Sequence, residues 1–309
     1  MSDVIGFIGL GFMGLGMASN IRKGGYDLWV KGRRNRAPVE SLVSQGAQEA
    51  ASPREMAEKC DIIHLCLSNS PQIEATMRGP DGILAGARPG LIVIDTSTAD
   101  PASTEALAAE LGEKGGHFVD APLGGTPVQA EAGQLIAMVG CDDDILERIR
   151  PVIECWAGTV NHIGPAGAGH KMKLLMNFIS LSYGALYSEA LVLGARVGIS
   201  PQTIRDVIAP SRMGCGFFDT FMSYAVDRNR DAHKFSIANA AKDIRYLNDM
   251  AANANVVNIM AGAAKHYYTQ AVATGHEEDY VPMLSDHVGA LNGVDLDDVV
   301  RKGRKGGVD

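Results

Sequence analysis

The sequence predicts an α/β chain, with a doubly wound parallel sheet on the N-terminal side followed by an all-α C-terminal domain. Three observations carry this. Short apolar runs alternate with helical patterns through the first half, a glycine-rich turn joins the first run to the first helix, and convincing strands stop after "GPAGAG" at 164–169. With 309 residues, 46% apolar and 21% charged, the chain has room for two ordinary domains. The expected division is 1–165 and 166–309, with 300–309 a flexible tail because "RKGRKGGVD" lacks an apolar residue before Val308.

The expected strands are 4–10, 26–30, 61–67, 91–95, 117–122, 134–140 and 159–164. Helical patterns fall at 12–24, 38–45, 101–113 and 143–154, with Pro38, Pro53 and Pro101 at first-turn positions that need no N–H. Long helical patterns then run to about residue 275.

Charge and cysteine usage narrow the classes. Thirty-six acidic against 28 basic residues, net −8, argue against a nucleic-acid partner, which needs a basic face. Five cysteines without C-x-x-C spacing form neither a disulfide framework nor a zinc site. No leader pattern and no run of about 18 apolar residues is present, so a reducing cytoplasm and no membrane partner are expected. Eight scattered histidines point to no metal, with His170 and His287 expected to be structural or solvent-facing.

"VIGFIGLGFMGLGMASNI" sets Gly9, Gly11 and Gly14 at G-x-G-x-x-G spacing, with Leu10, Phe12 and Met13 between them, after a strand and opening a helix. The first glycine permits a tight turn, the second lets backbone approach a pyrophosphate, and the third lets helix pack on strand. The helix N-terminus faces the anion. This context makes the sheet domain a Rossmann-type dinucleotide binder. At the end of the second strand, where an acid would accept from the ribose 2′-OH of NAD, "VKGRRNR" offers Gly32, Arg33 and Arg34 instead. A guanidinium grips a 2′-phosphate that an aspartate would repel, so NADP(H) is the preferred cofactor and NAD(H) the weaker alternative. Arg33 and then Arg34 are the candidates, while Lys31 and Arg36 bias the local field. The competing reading is a solvated basic loop. Leu67 and Ser68, ending the third run, join the cofactor side.

The segment 164–198 reads as a glycine-rich entry into a long helix, apolar on nearly every side around Lys173 and so expected to be buried over most of its circumference. Lys173, Asn177, Ser180, Gly184 and Ser188 fall at helical spacing, a polar and small stripe suited to lining an interdomain cleft. A buried lysine exchanges a proton with a substrate hydroxyl more readily, against the competing reading of a snorkelling surface lysine. Lys171 is the expected surface lysine.

Together these segments resemble the β-hydroxyacid dehydrogenase family. The nucleotide loop, "DTSTADP" (95–101), "DAPLGGTPVQAEAGQL" (120–135), "GAGHKMKLLMN" (167–177) and "AKDI" (241–244) match its motifs in order. The resemblance implies a nicotinamide-dependent interconversion of a short β-hydroxy acid and a semialdehyde or keto acid. It implies Lys173 as general acid/base, Asn177 orienting substrate, Lys242 near the nicotinamide, and Ser97 and Thr98 on the cofactor side. One departure concerns the substrate loop, where the family serine is Gly124, followed by Gly125 and Thr126. Thr126 and backbone N–H groups are then the expected anion donors, and the substrate is a small carboxylated or otherwise anionic aldehyde or hydroxy acid. The loop's G-x-T form looks more like that of sulfolactaldehyde reductases, with Gly125 in place of their arginine. Rival readings are an imine reductase-like enzyme, disfavoured by Lys173, and a non-catalytic dinucleotide-binding scaffold or sensor. The apolar helical surfaces predict a homodimer or homotetramer.

Overall fold

A computed structural model describes residues 3–305. In chain order the first compact unit, Met1–Lys173, contains β1 Val4–Ile8, α1 Gly14–Lys23, β2 Asp27–Lys31, α2 Ala37–Ser44, β3 Gln48–Glu49, α3 Pro53–Lys59, β4 Ile62–Leu65, α4 Ser70–Arg78, α5 Ile83–Gly86, β5 Ile92–Asp95, α6 Pro101–Gly112, β6 His117–Asp120, β7 Leu123–Gly124, α7 Pro127–Glu131, β8 Leu135–Gly140, α8 Asp143–Ile153 and β9 Ala157–Gly164. The helix α9, Ala168–Arg196, runs from this unit into the second, Leu174–Asp309. There follow α10 Pro201–Ile208, α11 Gly216–Ala225, α12 Ile237–Asn253, α13 Ile259–Ala273, a 3₁₀ turn at Val281–Met283, α14 Leu284–Leu291 and α15 Leu296–Lys305.

The sheet runs β3-β2-β1-β4-β5-β6-β8-β7, with β9 on β8. Alternate residues of the strands enter opposite cores: Ile5, Phe7, Ile62 and Ile92 join one face, Ile8, Ile63, Leu65 and Val93 the other. Burial of each such side chain stabilises the fold by roughly 1.5–3 kcal/mol. Pairing is parallel from β3 to β6, as expected, but β8 lies antiparallel to β6 and β7. The connection, residues 121–134, is no helical crossover: it holds β7, which itself pairs antiparallel with β8, and the five-residue α7, so the chain turns back on the strand it has just left. Strand order reverses around β1, so the carboxyl ends of β1 and β4 flank the crevice where doubly wound sheets bind ligands.

In the second unit Leu174, Leu181 and Leu191 of α9 pack with Phe218, Phe221, Ile244 and Tyr268. By length and composition α9 could cross a membrane, yet these leucines are at most 1% exposed inside a helical core. The expectation that α9 is buried nearly all round is corrected: Leu175, Ile179, Tyr183 and Leu186 are all at least 40% exposed. They share one face at helical spacing, while the stripe Asn177, Gly184 and Ser188 turns inward. The flexible tail expected at 300–309 is also corrected in part, because α15 continues to Lys305 with Leu296 and Val300 buried. Residues 306–309 lie outside the described residues.

Candidate active site

The glycine loop separates protein-imposed from ligand-imposed roles. Gly9 holds φ +102°, and a Cβ there would strike the Cys66 carbonyl; one at Gly14 would strike the Gly9 carbonyl. Both are demanded by the fold. A Cβ at Gly11 would meet nothing within 4 Å, so this glycine keeps open the space in which a pyrophosphate would meet the first amides of α1. Leu10 and Met13 pack against the core beneath, and Phe12 is 89% exposed at the rim. The loop therefore fits a dinucleotide.

Four cations follow β2, and the fold divides them. Lys31 Nζ donates to the Ala51 carbonyl at 2.7 Å, and Arg36 forms a fork with Glu49 of β3 at 2.7 and 2.6 Å. Arg33 and Arg34 are exposed and, among the described residues, have no ion-pair partner. Gly32 faces Val39, whose side chain a Cβ would strike.

Beyond β4, the Leu67 amide donates to Ser97 Oγ at 2.8 Å, tying together the segments that follow β4 and β5, both expected on the cofactor side. Ser68 is exposed and Thr98 half-buried beside them. Beneath lies a network that the sequence reading did not assign. Asp95 and Asp120 end the paired strands β5 and β6 in register and are fully buried. Asp120 accepts from the Gly167 and His170 amides at 2.6 Å each, capping the start of α9. His170, also fully buried, donates from Nε2 to the Ser97 carbonyl at 3.1 Å, and its Nδ1 lies 2.8 Å from Thr104 Oγ1. Its Nε2 is 3.7 Å from Asp95 Oδ2, too long for a hydrogen bond, and that oxygen has no hydrogen-bond partner. Burial holds the Asp95 carboxyl above the usual carboxylate range against the opposing pull of His170. His170 is thus structural and not solvent-facing: it rivets the turn of α9 just before Lys173 to the ends of two strands. Lys173 itself is half-buried.

In the helical unit Asn177, 7% exposed, donates from Nδ2 to Asp243 Oδ2 at 2.6 Å. Asp243 is buried and its Oδ1 lies 3.2 Å from Lys242 Nζ. The contact is an ion pair without hydrogen-bond geometry. Sequence reasoning quoted the Lys242–Asp243 pair but overlooked Asp243; a carboxylate amid the apolar positions of α12 was the available signal.

The substrate-loop candidates are held differently. Gly124 is buried in β7, and Gly125 follows at φ +126°. Thr126 caps α7: its amide donates to Gln129 Oε1 at 2.9 Å, its hydroxyl lies 3.1 Å from the same oxygen, and it accepts from the Gln129 amide at 3.4 Å. Both Thr126 donors expected for an anion are engaged inside the loop. Asn20 of α1 donates to the Ala130 carbonyl at 2.9 Å, so α7, which follows these candidates, is fastened to the helix that the glycine loop opens.

Residues 4–164 match the NAD binding domain of 6-phosphogluconate dehydrogenase, and residues 167–285 match the NAD-binding region of NADP-dependent 3-hydroxyisobutyrate dehydrogenase. The chain belongs to the β-hydroxyacid dehydrogenase family. It is 38% identical over 207 residues to 2-(hydroxymethyl)glutarate dehydrogenase of Eubacterium barkeri, covering 67% of this chain and 68% of that one. It is 32% identical to 3-sulfolactaldehyde reductase of Escherichia coli, covering 91% and 94%. A solved 3-hydroxyisobutyrate dehydrogenase of Mycobacterium tuberculosis with L-serine superposes with TM-score 0.82 at 26% identity, over 93% of this β-hydroxyacid dehydrogenase and 99% of the other chain. Against the human cytokine-like nuclear factor N-PAC, 29% identical, the chain spans only 49% of the relative's length.

Proposed function

We propose that this β-hydroxyacid dehydrogenase interconverts a short anionic hydroxy acid and its semialdehyde with NADP(H), Lys173 serving as general acid/base. The observation that carries the reading is the pairing of an ammonium and a carboxamide one turn apart on α9, the amide locked by Asp243. The dinucleotide supplies the hydride when bound. Lys173 gives a proton to the carbonyl oxygen in reduction and takes it from the hydroxyl in oxidation. Asn177, its Nδ2 turned by Asp243, orients the substrate oxygen, and the family resemblance assigns Lys242 to the nicotinamide. With the Thr126 donors engaged, the glycine backbone at 124–125 reads the substrate's acid group.

NADP preference is supported by Arg33 and Arg34, which have no ion-pair partner among the described residues and so are available for a 2′-phosphate. The exposed apolar face of α9, with Val256, Val257, Ile259 and Met260 also exposed, supports a homo-oligomer, to be checked by light scattering. A cytoplasmic location is part of the same proposal.

The test is a screen of semialdehydes, following loss of NADPH and, in parallel, NADH absorbance. Turnover abolished by Lys173→Ala with NADPH still bound is the expected result. NADPH binding with no turnover across the screen would replace the enzyme by a dinucleotide-binding scaffold, and faster use of NADH would overturn the cofactor assignment.

A further inference from the structure

The helical unit gathers a group of metal-ligating side chains away from the dehydrogenase residues. His276 follows α13, Asp279 lies in the next turn and His287 is on α14. One carboxylate oxygen, Asp279 Oδ2, lies 3.3 Å from His276 Nδ1 and 3.1 Å from His287 Nε2. The three candidate ligand atoms fall within 4.8 Å of one another, and the two imidazoles stand 4.0 Å apart between centroids. Local spacing hid the cluster from the sequence reading, which expected no metal, because His287 arrives on a separate helix.

We propose that His276, Asp279 and His287 form a binding site for a first-row divalent cation of the zinc type. A tetrahedral ion with bonds of about 2.0–2.1 Å separates its ligand atoms by roughly 3.3 Å, close to both measured nitrogen–oxygen spacings. Two imidazoles with one carboxylate suit zinc, cobalt or nickel, and leave a further position for water. The carboxylate is oriented from outside: Arg230 Nη2 approaches the other oxygen, Oδ1, at 3.5 Å and leaves Oδ2 to the ring side. The backbone is also fixed before any ion arrives. Gly275, at φ +84°, closes α13, and the His276 amide bonds the Ala271 carbonyl at 3.0 Å. The Asp279 and Glu277 carbonyls accept from the Ile237 and Ala238 amides at 2.7 and 2.9 Å, pinning this turn to the start of α12. An ion here would staple α13, α14 and the first turn of α12, the helix that carries Lys242 and Asp243. Exposed Glu277 and Glu278 beside the site add to its attraction for cations. The simpler alternative is that His287 Nε2 hydrogen-bonds Asp279 Oδ2 and His276 merely pairs with the same carboxylate.

Full-length protein stripped with chelator should take up one equivalent of zinc chloride by calorimetry, and cobalt chloride should give a d–d absorption band. Because His276 is the most exposed ligand, His276→Ala is expected to fold, to weaken zinc binding at least tenfold and to remove the cobalt band; His287→Gln should do the same. Zinc should raise Tm in the parent and leave it unchanged in both variants. No stoichiometric uptake by the parent, or uptake and band unaltered in either folded variant, would overturn the proposal in favour of the direct contacts of both imidazoles with Asp279.

Discussion

Asn177 and Asp243 meet at 2.6 Å within the helical core, a carboxamide on α9 held by a buried carboxylate on α12. Replacing Asp243 by Leu keeps the branched side-chain shape but removes the acceptor of the Asn177 Nδ2 hydrogen bond, so Asn177 loses its fixed orientation. The expected loss in kcat/KM is about 10–100-fold, the scale of a misplaced substrate-orienting group. Steady-state kinetics with a parallel melting curve checks it; an unchanged kcat/KM in a folded variant would show that Asn177 needs no orienting partner.

The division of the basic loop predicts divided effects. Arg33→Ala and Arg34→Ala should each raise the KM for NADPH about tenfold or more and leave NADH use unaltered, as loss of a phosphate contact does. Arg36→Ala should change neither, since its guanidinium is committed to Glu49. Gly32→Asp is a poorer route to NAD preference, because its Cβ would displace Val39 from the core. Comparing the two cofactors' KM values across the variants is sufficient.

Gly124→Ser should fold, since the new Cβ would sit 3.4 Å from Ile136 Cβ at the edge of ordinary contact. The added hydroxyl restores a donor common in this family's substrate loop. A changed ranking of substrates in the aldehyde screen, with NADPH affinity constant, is the expected outcome; an identical ranking would place acid-group recognition elsewhere.

His64, in β4, stacks on Phe7 with ring centroids 5.5 Å apart, and complete burial lowers its pKa from 6.5 to about 3. Between those values the unfolded chain binds a proton that the native chain refuses, so stability falls on acidification, by up to roughly 1.4 kcal/mol per pH unit. Asp95, with its pKa raised, acts oppositely above the normal carboxylate range. Denaturant unfolding from pH 7 to pH 4 should therefore show a shallower acid loss in His64→Gln than in the parent.

The central strands were legible because β4 and β5 are fully buried on both faces and so read as continuous apolar runs. The strand β3 was not, since Gln48 and Glu49 carry no apolar signal; without it the partner of Arg36 is invisible. The glycine spacing named the nucleotide loop and a role for each glycine, and the fold adds the contacts: a Cβ at Gly9 or Gly14 would strike backbone, while one at Gly11 would meet nothing within 4 Å. Asp95, Asp120 and His170 are brought together by strand register and a helix start, relationships that no local pattern encodes.

Because α9 is one uninterrupted helix, Lys173 and Asn177, the pair proposed to move the proton and to orient the substrate, sit on a single rigid ruler with about 5–6 Å between their Cβ atoms. That spacing is written into the backbone and not into packing. Under the proposed function, variation that reshapes the loop around Gly124 to Thr126 can therefore exchange one small acid for another while the spacing of Lys173 and Asn177 stays constant.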